Sequence, residues 1–165
     1  MSDILYNDPA YKRDWREIAV HDGCNIKGFF GYFRFLSNFE KCLVEYEGML
    51  YPSSENAYQA AKVAPDARKE FQTCSAAESK TLWKKLPPIY TPATWDDNKL
   101  TVMRKVVFDK FLRNDDLRNK LLDTGGRYLE ETLWWRDNFW GVDVVIGGEN
   151  NLGKILMQTR KYFQT

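Results

Sequence analysis

The sequence predicts a mainly helical single domain carrying a few short β-strands, and three observations support that reading. From Pro52 to Asn114, apolar residues recur at spacings of three and four, as on the buried face of an amphipathic helix. Helix-start signals recur along the chain: Ser53-Ser54, Ser75 with Glu78 three residues on, Thr94, Asn114, and Asn150-Asn151. Strand-like segments are short and do not alternate with helices in βαβ order, which argues against a Rossmann-type sheet.

At the N-terminal end, Tyr11, Trp15, Ile18 and Ala19 fit one helical face over a stretch too short to decide the matter. From Ile26 to Tyr51, aromatic clusters with Gly28, Gly31 and Gly48 predict short strands and loops, with Glu47-Gly48 in a hairpin turn. Ser53 or Ser54 then caps a helix on which Ala57, Tyr58, Ala61 and Ala64 share a face. Pro65-Asp66 opens a short second helix running through Phe71. Ser75-Ala76-Ala77-Glu78 is a capping box opening a third, stopped by Pro87-Pro88. Thr94 is read as the cap of the longest helix, with Leu100, Met103, Val107 and Phe111 on one face. Asn114-Asp115-Asp116 starts a helix carrying Leu117 and Leu121, and Gly125-Gly126 ends it. Residues 127–149 return to extended and irregular structure. Asn150 or Asn151 caps a final helix with Leu152, Ile155, Leu156 and Phe163 inward.

No repeat or Gly/Ser linker divides the 165 residues, so one domain over 1–165 is expected. The 24 basic and 23 acidic residues nearly cancel, to +1. That excludes a protein-wide basic field for duplex nucleic acid, while a local patch such as Arg104-Lys105 stays open. No run approaches the roughly 18 apolar residues of a membrane span, so no membrane partner is expected. The start Met1-Ser2-Asp3-Ile4 lacks a signal peptide's basic and apolar regions, which predicts a cytoplasmic protein.

Cys24, Cys42 and Cys74 are too far apart for a CxxC motif, and their odd number argues against a disulfide framework. His21, the single histidine, lies in a turn-like His-Asp-Gly setting. A zinc site rich in histidine is therefore excluded, and acid–base chemistry falls to carboxylates, tyrosine or lysine. Aromatics make up 15% of the chain; most must be core, but a few beside polar groups would suit stacking on a flat base.

Four segments place polar residues next to rings: Phe35-Leu36-Ser37-Asn38-Phe39, Pro52-Ser53-Ser54-Glu55, Trp95-Asp96, and Asp137-Asn138-Phe139-Trp140-Gly141. Each has an ordinary structural reading. Asn38 forms turns, Glu55 sits at a surface helix start where the dipole favours a carboxylate, Trp95 is a first-turn core ring, and Asp137 caps a turn. Glu130 and Glu131 read as solvent-facing charge.

Taken in order, these segments resemble the YbiA-like, or NADAR, family. The blocks are Phe35–Phe39, Gly48, Tyr51–Glu55, Tyr58-Gln59-Ala60-Ala61-Lys62, Trp95 with Lys99 and Met103, and Lys110-Phe111 with Asn114 and Leu117. They continue through Leu121-Leu122 with Thr124, Leu129-Glu130-Glu131, Asp137–Gly141, Asn150, Leu152-Gly153, Leu156-Met157 and Arg160. The match runs from about residue 29 to 160, leaving 1–28 as an N-terminal extension.

The resemblance implies a small multihelical N-glycosidase that hydrolyses the bond between a ribose anomeric carbon and an exocyclic nitrogen. It implies substrates that are ribosylamino-pyrimidine intermediates of riboflavin synthesis or ADP-ribose attached to guanine, with single-stranded or modified nucleic acid a possible partner. Glu55 and Asp137 match the family's catalytic positions. Trp95 and Trp140 match its base-holding ones, and Asn38, Lys62, Gly141 and Asn150 fall in the same blocks as substrate-binding residues. The chemistry asks for such groups, because breaking a ribosyl C–N bond builds oxocarbenium-like charge that a carboxylate stabilises. No metal and no cofactor is called for.

Two departures from the family pattern stand out. Asn56 follows Glu55 where many relatives have histidine, and Lys84 replaces an arginine, offering a phosphate a point charge instead of a fork. A rival reading is a non-catalytic ADP-ribose or nucleotide-binding module, and a third is a structural helical interaction protein. Two carboxylates in one site weigh against the binding module, since they do nothing for a phosphate-bearing ligand.

Overall fold

The computed structural model describes residues 14–165. Tyr11, part of the expected N-terminal helical face, lies outside them, and Trp15–Glu17 forms a 3-10 turn capped by Asp14. As the sequence predicts, the fold is mainly α with short strands.

Three strands form the first sheet. β1 (Val20–His21) pairs antiparallel with β2 (Asn25–Lys27), which pairs parallel with β5 (Tyr128–Glu130), a segment some hundred residues on. β3 (Val44–Tyr46) and β4 (Met49–Tyr51) make the expected hairpin. Its two turn residues, Glu47 at φ 48 and Gly48 at φ 82, both adopt the left-handed conformation that a tight hairpin turn requires. β6 (Thr132–Leu133) follows β5 after one residue and pairs parallel with β7 (Val142–Asp143).

Among the described residues the helices are α1 (Ser54–Ala60), α2 (Ala76–Leu82), α3 (Pro92–Arg113), α4 (Asp115–Asp123) and α5 (Asn151–Phe163), with 3-10 segments at 31–36, 65–72 and 83–85. α3 forms the axis of the fold. It buries Val102, Met103, Val106, Val107 and Phe111 against β3, α1, α4 and α5. Ser53 caps α1, and Ser75 with Glu78 closes a capping box on α2, both as expected.

Three expected caps differ. Thr91, not Thr94, caps α3, with Pro92 in the first turn and Thr94 as the reciprocal partner three residues in. Pro92 fits the first turn because its missing N–H would find no helical partner there. Asn114 and Asn150 occupy N-cap positions, but neither side chain caps its own helix. The segment 65–72 is 3-10 throughout, not α.

Among the described residues three cations are buried, Arg68, Lys110 and Arg160, and Arg68 Nε donates to the Val63 carbonyl at 3.2 Å. Arg160 donates to Thr124 Oγ1 at 2.7 Å and to the Arg127 carbonyl at 2.9 Å, tying α5 to the end of α4. Lys110 is fully buried and donates to the Ser37 carbonyl at 2.8 Å. All three cysteines are free, and no helix among the described residues is long and apolar enough to cross a membrane.

Candidate active site

α1 is a short helix, but its periodicity organises the site. Glu55, Tyr58, Gln59 and Lys62 stand at the i, i+3, i+4 and i+7 positions of one face, so all four look the same way. They form one wall of a cavity of about 420 Å³. The loop after β6 contributes Asp137, Phe139 and Trp140; α3 contributes Trp95, Lys99 and Met103; α2 contributes Lys80; and Asn38 comes from the turn after the 31–36 segment.

Glu55 is buried, not exposed as a surface helix start would be. Its main-chain N–H donates to the Asn38 carbonyl at 3.0 Å, and its carboxylate accepts Gln59 Nε2 at 2.7 Å. Burial pushes the carboxyl above the ordinary range, against the opposing effects of the Gln59 bond and of Lys80 and Lys62; Asp137 pushes it further up. Asp137 accepts the Trp140 N–H at 2.9 Å, so it does cap its turn while facing the cavity.

The Tyr58 ring lies against both tryptophans, tilted to Trp95 at 5.2 Å and edge-on to Trp140 at 5.6 Å. Its hydroxyl is driven far up by burial and by Glu55, and so stays neutral. Lys62 sits among the rings of Trp83, Tyr58 and Trp95, at 4.6, 5.1 and 5.2 Å from their centroids. Burial lowers its ammonium to about 8; Glu55 opposes this, and the charges of Lys80 and Lys84 add to it. Lys99 holds the loop by placing its ammonium 3.7 Å over the Phe139 ring. The cavity thus has carboxylates within, rings on its walls and lysines at its margin. Two buried acceptors that line it, Asn38 Oδ1 and Gln59 Oε1, have no protein donor.

Six expected site residues therefore meet at one cavity: Glu55, Asp137, Asn38, Lys62, Trp95 and Trp140. Gly141 and Asn150 do not line it. Asn150 is buried at left-handed φ 55 and serves the backbone: Oδ1 accepts the Glu131 N–H at 3.1 Å, and Nδ2 donates to the Leu129 carbonyl at 2.9 Å and to the Tyr128 hydroxyl at 3.0 Å. Gly141 lies so close to the Glu131 carbonyl and to Leu133 that a Cβ there would overlap both.

The structure also places four other residues that the sequence singled out, two of them against expectation. Asn56 turns away from the cavity and donates to the Phe71 and Cys74 carbonyls, both at 2.9 Å, so it is a structural tie. His21 sits outside the cavity with Nε2 2.8 Å from the Gly28 carbonyl oxygen. Glu130 and Glu131 are not solvent-facing charge. Glu130 is buried, accepting the Thr132 hydroxyl at 2.8 Å and facing Lys27 at 3.5 Å. Glu131 is partly buried and lines the cavity; burial, with Asp137 and Glu55 nearby, pushes its carboxyl up to about 8, while Lys80 opposes the shift. Lys80, Lys99 and Gln59 also line the cavity. The three-and-four spacing that carries Tyr58 and Lys62 would have found Gln59; no local signal marks Glu131.

Comparison with known proteins bears on what this cavity does. The NADAR domain model matches residues 24–164. The chain is 38% identical over 133 residues to a riboflavin biosynthesis protein of Vibrio vulnificus, covering 79% of this chain and 35% of that one. It is 43% identical over 67 residues to an N-glycosidase of Nostoc punctiforme, covering 41% of this chain and 42% of that protein. It is 31% identical over 135 residues to N-glycosidase YbiA of Escherichia coli, covering 76% of this chain and 78% of that protein. The chain thus spans less than half of the first two relatives. The NMR structure of E. coli YbiA superposes with a TM-score of 0.74 at 27% identity over 92% of each chain.

Proposed function

The chain belongs to the NADAR family, and from that premise we propose that it is an N-glycosidase hydrolysing a ribosyl carbon–nitrogen bond. The observation that carries the proposal is the meeting of Glu55 and Asp137 with Trp95 and Trp140 in one cavity. Cleavage of the bond places positive charge on the ribose ring, and a carboxylate already fixed in a desolvated site stabilises that charge without reorganising. Glu55, fixed by its N–H bond to Asn38 and by the Gln59 amide, is such a group. Asp137, fixed through the Trp140 N–H, is the second carboxylate, and we assign it the orienting of the attacking water. Trp95 and Trp140 give the leaving base a flat apolar wall around Tyr58. Lys62, Lys80 and Lys99 give a phosphate on the ribose a cationic margin.

Both substrate classes fit these requirements: a phosphorylated ribosylamino-pyrimidine and ADP-ribose on guanine, free or within nucleic acid. The near-neutral charge favours the small molecule. A non-catalytic nucleotide-binding module would have no use for carboxylates facing a phosphate-bearing ligand. A panel of ribosylamino-pyrimidine phosphates, ADP-ribosylated guanine in DNA, and NAD tests the proposal, with detection of released ribose 5-phosphate or ADP-ribose. Release from one class identifies the substrate. Tight binding with no release from any would instead support the binding module.

A further inference from the structure

Resting on that N-glycosidase reading, we propose that Glu131 delivers the proton to the leaving nitrogen, and that Asn150 and Gly141 are positioning residues that hold it there.

The backbone geometry carries the assignment. Glu131 is the single residue between β5 and β6, and its main chain is fixed on both sides. Its N–H donates to Asn150 Oδ1 at 3.1 Å, and its carbonyl accepts the Val142 N–H at 2.8 Å. Gly141 lets that carbonyl approach where any side chain would overlap it, and the Asn150 N–H in turn donates to the Gly141 carbonyl at 3.2 Å. Asn150 is itself anchored on Leu129 and Tyr128, and its amide occupies space that only glycine at 153 leaves open. Three stretches of chain, 128–133, 141–142 and 150–153, thus lock around one residue whose side chain faces the cavity.

The four carboxyl groups at the cavity differ in their company, and Asp96 is paired with the Lys99 ammonium at 2.7 Å. Glu55 accepts the Gln59 amide and Asp137 accepts the Trp140 N–H. Among the described residues, no donor reaches the Glu131 carboxyl. The charged groups that line the cavity with it are Asp137 from the loop after β6, Glu55 and Lys62 from α1 and just beyond it, Lys80 from α2, Asp96 and Lys99 from α3, and Arg34 from the 31–36 segment. Asp137 and Glu55 oppose its ionisation and Lys80 favours it; with desolvation, the balance leaves it protonated through neutral pH.

In the step itself, the C1′–N bond breaks with its electron pair passing to nitrogen while the Glu131 O–H gives that nitrogen its proton. Glu55 faces the ribosyl cation. Water then adds its oxygen to C1′, and the proton it loses restores the Glu131 carboxyl. The sum is N-riboside plus water to ribose plus amine.

Glu131→Gln keeps size and polarity and removes the transferable proton. On a substrate the wild type cleaves, kcat is expected to fall about 100-fold or more, and the alkaline limb of the pH–rate profile near pH 8 should disappear. N-ribosyl arylamine 5-phosphates of graded amine basicity should show a steep dependence on the leaving amine in the variant and a shallow one in the wild type. Asn150→Ala should shift the alkaline limb and lower kcat with KM held, which loss of packing alone does not do. A carboxyl titrating near pH 8 should appear in the ¹³C spectrum of glutamate-labelled wild type and vanish in Glu131→Gln. A retained alkaline limb, an equal loss for every leaving group, or a Glu131 carboxyl titrating in the ordinary range would overturn the assignment. A wild type that turns over nothing would instead remove the N-glycosidase reading on which it rests.

Discussion

Lys110 Nζ donates to the Ser37 carbonyl at 2.8 Å, across 73 positions of sequence, from a side chain that is fully buried. The bond fixes the turn that precedes Asn38, whose own carbonyl accepts the Glu55 N–H. A core lysine thereby sets the position of a cavity carboxylate.

Burial lowers the Lys110 ammonium to about 8, with Cys42 and Glu40 opposing the shift. Between pH 8 and 10.5 the unfolded chain holds a proton that the folded chain has lost. Stability from this group therefore rises with pH across that window, by roughly 3 kcal/mol in all. Lys110→Met removes the titration. The stability difference between wild type and Lys110→Met, followed by urea unfolding, should shift in favour of the wild type from pH 8 to 10.5; comparing the two proteins cancels the buried tyrosines. An unchanged difference would mean that the ammonium does not bear the burial cost assigned to it.

Glu55→Gln should lower turnover about 100- to 1000-fold, the cost of removing one preorganised charge-stabilising group, while the fold survives because the amide still accepts from Gln59. Wild-type turnover in the pure variant would remove Glu55 from the chemistry. Gln59→Leu gives a finer test. It deletes the one side-chain donor to the Glu55 carboxylate among the described residues, so the carboxyl moves further up and the acid limb of the pH–rate profile moves with it. An acid limb that stays in place would show that another group sets it.

The parts of this site that were legible in the sequence are those written in local chemistry. Glu47-Gly48 signals its turn because the conformation needs Gly-like φ, and Ser53 and Ser75 signal helix starts through their hydroxyls. Ala57, Tyr58 and Ala61 are buried together as the helical period predicts, whereas the face that joins Glu55 and Lys62 to Tyr58 emerges only with the cavity. Thr94 misled because a threonine three residues inside a helix and one at its cap look alike until Pro92 is given weight. Glu131 falls in a block of the family resemblance but reads as solvent-facing charge, for a different reason. Its burial comes from β5 pairing in parallel with β2 and β6 with β7, and no short-range pattern encodes such pairings. Asn150 and Gly141 stood out through the family resemblance, but their partner in the fold is Glu131, 19 and 10 positions away.

Asn56 separates structure from chemistry at the position where many relatives have histidine. Its amide satisfies the Phe71 and Cys74 carbonyls, and Ser53 donates to its oxygen. Asn56→Ala leaves two buried acceptors unmet and should cost about 2–4 kcal/mol of stability, read by chemical denaturation. The folded fraction should keep its pH–rate profile. A changed profile with stability intact would return Asn56 to the acid–base machinery.

Trp140 tests whether the aromatic wall binds substrate or only supports the core. The ring is half-buried, edge-on to Tyr58 at 5.6 Å and to Phe139 at 4.8 Å, with one side given to the core and the other to the cavity. A tryptophan wholly inside the core costs about 3–5 kcal/mol when cut to alanine. Trp140→Ala should cost less than that in stability, because only part of its surface packs inward. Loss of a stacked base should also weaken ligand binding by about 1–3 kcal/mol. Trp140→Phe should recover most of the stability and only part of the affinity, since the smaller ring still meets Tyr58 but covers less of a base. Thermal unfolding and ligand titration on the same two variants separate the terms. A full core-sized loss of stability with ligand affinity unchanged would make Trp140 a core residue and leave Trp95 as the stacking surface.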